Sequence, residues 1–244
     1  MNVIEENYVR IILALELHVK TALIEVIYNV NNKFGNYVGL PSNEVDLYNS
    51  MCQFIQNNQR ILNKILNEDQ WILLRPPSQK CSPKDWDITL LIVVIRNKLK
   101  IKPQGGWEIQ NVDPNDTSLG AFIFMVKQLR NEVKHGTIKK IGSNFERYWE
   151  RIKNLLRGLQ YIYMDDFHDL KSRSLDSNLP VIQRILKDLE NDVSNLSDVA
   201  SDNSKEILHC KEKINHLSNS KADKSDLELA MQRQNLELQT AIQG

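Results

Sequence analysis

Arg130-Asn131-Glu132-Val133-Lys134-His135, closed by Gly136, gathers more chemistry than any other stretch of this 244-residue chain. It reads as the last turn of an amphipathic helix, with Gly136 as the stop. Asn131 and His135 stand four apart and share one helix face, with Arg130 one position round. A fixed positive charge, an amide and an imidazole at one helix end suit phosphate binding and proton transfer near neutral pH. The same residue types also serve as ordinary caps, because cations near a helix C-terminus complement its free carbonyls and its dipole. On spacing alone capping is the better reading, and the weight of the string depends on what surrounds it.

The rest of the chain narrows the chemistry. It holds 31 basic and 31 acidic residues, so bulk charge forces no nucleic-acid partner and any RNA site must be local. The three cysteines, Cys52, Cys81 and Cys210, are too scattered for a disulfide framework or a zinc cluster. No Gly-rich phosphate loop, Cys-His nucleophile pair or H-E-x-x-H motif occurs. No metal and no cofactor are expected. The apolar run from Val9 to Val30 is broken by Arg10, Glu16, His18, Lys20 and Glu25. It is too interrupted to span a bilayer and lacks a secretory cleavage site, so it reads as a core helix of a cytoplasmic protein.

The elements that must position the Arg-His string read as helices throughout. The first is expected over 5–30, with Ile12, Leu15, Val19, Leu23 and Val26 at helical spacing. A loop with Gly35, Gly39 and Pro41 follows, then a helix over 44–67 and a short one over 70–74, stopped by Arg75-Pro76-Pro77. Ser82-Pro83-Lys84-Asp85 has the form of a helix start, with Ser82 as cap. The expected helix over 86–99 is apolar on most sides and therefore buried. A long loop spans 103–116, in which Trp107 reads as a packing plug. The helix bearing the Arg-His string begins near Asp116 or Thr117 and buries Leu119, Phe122, Val126, Leu129 and Val133. The next is expected over 143–163, with Phe145, Tyr148, Trp149, Ile152, Leu155, Leu156 and Leu159 inward. Four or five such helices and no strand make an all-α bundle over 1–165.

After a linker at 166–178, the stretch 179–244 carries heptads. Ile182, Leu189, Leu196, Asn203, Cys210 and Leu217 fall at d, and Leu186, Val193, Ala200, Ile207 and Ile214 at a. That pattern predicts a parallel coiled-coil dimer over 182–217, with Asn203 fixing register.

Taken in order, several features resemble one known group of domains. They are Trp71-Ile72-Leu73-Leu74-Arg75-Pro76, Asp87-Ile88-Thr89-Leu90-Leu91 leading to Ile95-Arg96-Asn97, Gly106-Trp107, Asp113 and Asp116, Leu129-Arg130-Asn131 to His135, and Phe145 with Trp149. The ordered set resembles the HEPN superfamily, nearest to the HEPN-type domain of the DAZ-interacting zinc-finger protein family of RING ubiquitin ligases. Nothing here resembles the RING itself, whose zinc ligands three scattered cysteines do not supply.

That resemblance implies a helical bundle that dimerises and a composite site of R-x(4-6)-H motifs at the dimer interface. Active superfamily members are metal-independent endoribonucleases. The motif falls here on Arg130, Asn131 and His135. The resemblance then implies attack of a ribose 2′-hydroxyl on the adjacent phosphate, with His135 as general acid or base. Arg130 would steady the transition-state charge, and Asn131 would orient His135 or the phosphate. Arg96-Asn97 lacks a histidine at the matching distance, since position 101 is Ile. The Arg96-Asn97 pair is therefore expected to be structural or to contact phosphate rather than to catalyse, and Arg96, Asn97 and Lys134 are the expected RNA contacts. Two functions follow as expectations. One is an RNA-binding HEPN-like domain, dimeric through bundle and coiled coil, whose endoribonuclease activity the residues leave open. The alternative is a non-catalytic scaffold that recruits protein partners through its coiled coil, with no membrane association.

Overall fold

A capping box starts the first helix. Asn2 Oδ1 accepts from the Glu5 amide at 3.0 Å, and the Glu5 carboxylate accepts from the Asn2 amide at 3.0 Å. The computed structural model describes residues 2–35, 37–173 and 175, together with 232, 233 and 237. Helix α1 (Val3–Leu13) runs through a π turn (Ala14–Val19) into α2 (Lys20–Phe34). The helix expected over 5–30 thus forms, starting at its Asn2 cap and widened in the middle. The π turn directs Ala14, Leu15, His18 and Val19 inward together.

Helix α3 (Glu44–Leu62) is capped by Asn43, and α4 (Glu68–Leu74) by Asn67, whose Oδ1 accepts from the Gln70 amide at 2.9 Å. Residues 63–67, expected to continue α3, instead turn so that Asn67 can start α4. The Ser82 start signal yields only one 3-10 turn (Pro83–Asp85). Trp86 then goes extended and fully buried, its Nε1 donating to the Leu73 carbonyl at 3.3 Å. Asp87 caps the true helix, α5 (Ile88–Asn97), through the Leu90 amide at 2.6 Å. As its composition predicts, α5 buries Ile88, Leu90, Leu91, Ile92, Val94 and Ile95.

A loop then leads to α6 (Leu119–His135), capped by Ser118. Leu119, Val126, Leu129 and Val133 are buried as expected, but Phe122 is only half-buried while Ile123 and Phe124 turn inward. The helix expected over 143–163 forms as α8 (Phe145–Gly158), preceded by a short α7 (Ile138–Ser143) that was not expected and followed by α9 (Met164–Leu170). Part of the stretch expected as a 166–178 linker is therefore helical. Phe167 and Leu170 on α9 are fully buried, and Phe167 stacks on Trp149 at 4.4 Å between centroids.

The core so formed holds one polar oddity. His18 is 6% exposed, and its Nδ1 lies in hydrogen-bond contact with the Tyr161 hydroxyl at 3.0 Å. Its ring meets Phe167 edge-on, and its Nε2 has no partner among the described residues. Burial pushes its pKa down to about 4, against an opposing pull from Asp166.

All described elements among these residues are helical, and α1 to α9 form an all-α bundle. The chain divides into two units, 1–182 and 183–244, and α1 to α9 belong to the first. The coiled coil expected over 182–217 lies outside the described residues. Among those described, no helix is long and apolar enough to cross a membrane.

Candidate nucleic-acid interface

Two helix stripes face each other. On α5, Thr89, Ile92, Val93, Arg96 and Asn97 follow the i, i+3, i+4, i+7, i+8 rhythm of a single face. On α6, Lys127, Arg130 and Asn131 do the same. Between them, with Ile65 and Trp107, lies a cleft of about 230 Å³. The start of α6 sits beside the end of α5, because Gly120 packs so close to the Lys102 carbonyl and Pro103 that a β-carbon would collide with that backbone. From there α6 runs back along α5.

The intervening loop is tied down to form one wall. The Asp116 carboxylate, nearly buried, accepts from the Gln104 and Ser118 amides, each at 2.9 Å. Burial alone would raise its pKa, but these bonds outweigh that effect and hold it below the ordinary carboxylate value. Trp107 donates from Nε1 to the Ile101 carbonyl at 3.0 Å, and its ring lies 5.8 Å from that of Phe124. The Arg96 guanidinium sits 5.5 Å over the Trp107 ring and reaches Glu108 at 3.0 Å. The Glu108 side chain is 89% exposed, so this ion pair holds Arg96 only weakly.

The remaining polar groups are loosely committed. Arg130 donates from Nη1 to Asn131 Oδ1 at 3.1 Å. Asn131 thus steadies the guanidinium. Neither Arg130 nor Lys127 pairs with a carboxylate among the described residues, and no carboxylate lines the cleft. Asn97 Nδ2 donates to the Val93 carbonyl of its own helix at 2.9 Å. Thr89 Oγ1 is shut off from solvent and has no hydrogen-bond partner among the described residues. A hydroxyl left in that state costs about 1–3 kcal/mol. Thr89 stands in the first turn of α5, where its usual acceptor, a carbonyl three or four residues back, belongs to the preceding turn and linker.

The C-terminal end of α6 is clamped from the other side. Glu132 accepts from the Tyr148 hydroxyl at 2.7 Å and from Arg151 at 2.5 Å. Burial opposes its ionisation, but the Tyr148 and Arg151 bonds prevail and its pKa falls. Tyr148 is pushed up to about 12 by burial and by the Glu132 carboxylate.

Of the residues singled out in the sequence, Arg96, Asn97, Arg130 and Asn131 meet in the cleft. Lys134 and His135 are exposed and outside its lining. Sequence reasoning passed over Lys127, and read Trp107 only as a plug. Local charge would have found Lys127: from Lys127 to Arg157 the chain carries nine Lys and Arg against three Glu. Of the cysteines described, Cys52 is half-buried, and Cys81 is buried with its thiol pushed up to about 12 by burial, so Cys81 is no nucleophile. Among the described residues, no group of three His, Cys, Asp or Glu is arranged to hold a metal.

An all-α bundle with an Arg-Asn pair on each of two adjacent helices, both opening on one cleft, has the character of a HEPN-type helical domain. Residues 47–181 match the family model described as DZIP3/hRUL138-like HEPN, and the chain belongs to that family. The match begins within α3, so the long N-terminal helix precedes it, although the structure packs that helix along α7 and α8. Comparison with curated proteins gives no match, and neither does comparison with solved structures.

Proposed function

We propose that this HEPN module binds single-stranded RNA, with the α5–α6 cleft as the contact site. The observation that carries this reading is the cleft's lining: three cations, two amides and an indole, with no carboxylate among them. Guanidinium groups suit phosphate by charge and by fork geometry, and Arg130 is held in place without being neutralised. Unpaired bases offer π faces to Trp107 and to guanidinium planes, which duplexes withhold. A net neutral chain can still present such a site, because only the local field matters at the strand.

A second reading concerns cleavage. Within one copy, His135 stands outside the cleft lining and has no described hydrogen-bond partner, which favours binding without cleavage. Cleavage at this site requires a second copy to bring a histidine to the bound phosphate, in the manner of a composite HEPN site.

Gel shift of a mixed-sequence single-stranded RNA in EDTA, with wild type and His135→Ala in parallel, tests both readings. Binding predicts a retarded, intact RNA with both proteins. Cleavage to 2′,3′-cyclic phosphate ends by wild type alone would establish the composite enzyme and assign His135. Absence of any shift at salt below 50 mM would sink the binding reading, because low salt favours phosphate contacts most.

A further inference from the structure

Beyond the cleft, the cations of this basic stretch fall into two groups. Its three carboxylates are all engaged, Glu132 with Tyr148 and Arg151, Glu146 with Lys171, and Glu150 with Lys153. Lys134, Lys139 and Lys140 are exposed and pair with no carboxylate among the described residues. Helix α1, which packs on α7, carries Glu5 and Glu6, but Glu5 closes the Asn2 cap and Glu6 holds Arg10. The three lysines are also in line with the cleft. Lys134 stands four residues after Arg130 and seven after Lys127, so it continues the cleft-lining face of α6 one turn further. From Lys127 to Lys134 that row runs about 10 Å. Gly136 then turns the chain. A β-carbon there would meet the Glu132 carbonyl oxygen and Ile141 Cδ1, each at 2.7 Å, so α7 packs directly on the last turn of α6. Thr137 caps α7 by accepting from the Lys140 amide at 3.2 Å, which puts Lys139 and Lys140 in its first turn. Lys134 could complement the carbonyl end of α6, but the start of a helix disfavours cations. Helix capping therefore leaves Lys139 and Lys140 unexplained.

Resting on the RNA-binding reading above, we infer that the bound strand does not end in the cleft but continues over the α6–α7 corner, with its phosphates on Lys134, Lys139 and Lys140. The path has two ends of different character. Trp107 packs against Phe124 in the first half of α6, so the indole and Arg96 mark the end where a base can stack. The far end offers ammonium groups on flexible stems, which hold a backbone as point charges and read no base. The corner thus lengthens the site without adding sequence preference, and it neutralises nothing until a polyanion lies on it.

The test is titration of the full chain with labelled oligouridylates of four and ten nucleotides, at low and moderate salt. Wild type is compared with Lys134→Ala/Lys139→Ala/Lys140→Ala and with Lys134→Arg/Lys139→Arg/Lys140→Arg, with thermal unfolding of each. Wild type should bind the longer strand more tightly. The alanine variant should lose about tenfold on the longer strand and less than about twofold on the shorter, with an unchanged unfolding midpoint. Its salt dependence on the longer strand should fall by about two, for three phosphate contacts at about 0.7 each. The arginine variant keeps the charges and should bind both strands as wild type does. Unchanged affinity and salt dependence of the alanine variant on the longer strand would overturn the extended path while leaving the cleft site intact. An equal loss on both strands would overturn it too, because the lysines would then act only through the general field. Failure of wild type to bind either strand at low salt would overturn the RNA reading and the path together.

Discussion

Among the described residues, two buried side-chain polar atoms have no hydrogen-bond partner, and they differ in chemistry and setting. His18 Nε2 sits in a closed core, under Phe167 and beside Tyr161. Thr89 belongs to the lining of the α5–α6 cleft, but its Oγ1 is itself shut off from solvent. In the core, no ligand has a route to the orphan atom, and the protein keeps it neutral by lowering the imidazole pKa to about 4. At Thr89, the orphan hydroxyl is a standing cost to the fold. A buried orphan that titrates makes stability depend on pH, whereas one that does not titrate costs the same at every pH.

The largest expected effect belongs to the core. Trp149, 1% exposed and stacked on Phe167, holds α8 to α9. Trp149→Ala should cost about 3–5 kcal/mol in chemical denaturation, from lost burial and a residual cavity. A loss below about 1 kcal/mol would mean that α9 is not part of this core.

Acid should come next. His18 has a folded pKa depressed from 6.5 to about 4, so below pH 6.5 the unfolded chain takes up a proton that the folded chain refuses. Its contribution is full above about 6.5 and drains away as the pH falls toward 4. The loss should be on the order of 3 kcal/mol, seen as a slope in unfolding free energy that His18→Gln flattens. Asp166 and Arg173, which face His18 with opposite charge effects, are left in place by that variant. An unchanged slope in His18→Gln would assign the acid sensitivity elsewhere and erase the contrast with Thr89.

The smallest effect lies on the cleft rim. Glu108→Ala removes an exposed partner of Arg96 and should change stability by less than about 0.5 kcal/mol. It should also tighten RNA binding, by about twofold, because Arg96 is released from its carboxylate. Weaker binding would place Glu108, rather than Arg96, in contact with the strand.

Much of this architecture was legible in the sequence, for reasons that can be traced. Apolar residues at helical spacing located the first helix, α5 and α6, and the all-apolar composition of α5 foretold its burial. Ser82-Pro83-Lys84-Asp85 misled because local start chemistry is satisfied by a single 3-10 turn as well as by a helix. The buried indole of Trp86, bonded to the Leu73 carbonyl of the preceding helix α4, decided between them. The π turn at Ala14–Val19 gives no local sign, since it lies within an unbroken helical pattern. Arg96-Asn97 and Arg130-Asn131 were visible as pairs, but their convergence depends on α6 folding back along α5, which spacing along one helix does not encode. Lys127 opens a basic run that local charge reveals, but which of its cations reaches the cleft depends on the fold. His135 was legible as chemistry, yet only the tertiary structure shows that it stands outside the cleft of its own copy.

The central claim is that the α5–α6 cleft is the RNA site. Fluorescence anisotropy of a labelled single-stranded RNA, with wild type and an Arg96→Ala/Arg130→Ala double variant at two salt concentrations, tests it most directly. The account predicts saturable binding by wild type, weakened about 30-fold or more in the variant, with a shallower dependence on salt by about two phosphate contacts. Equal affinity and equal salt dependence in a folded double variant would contradict it.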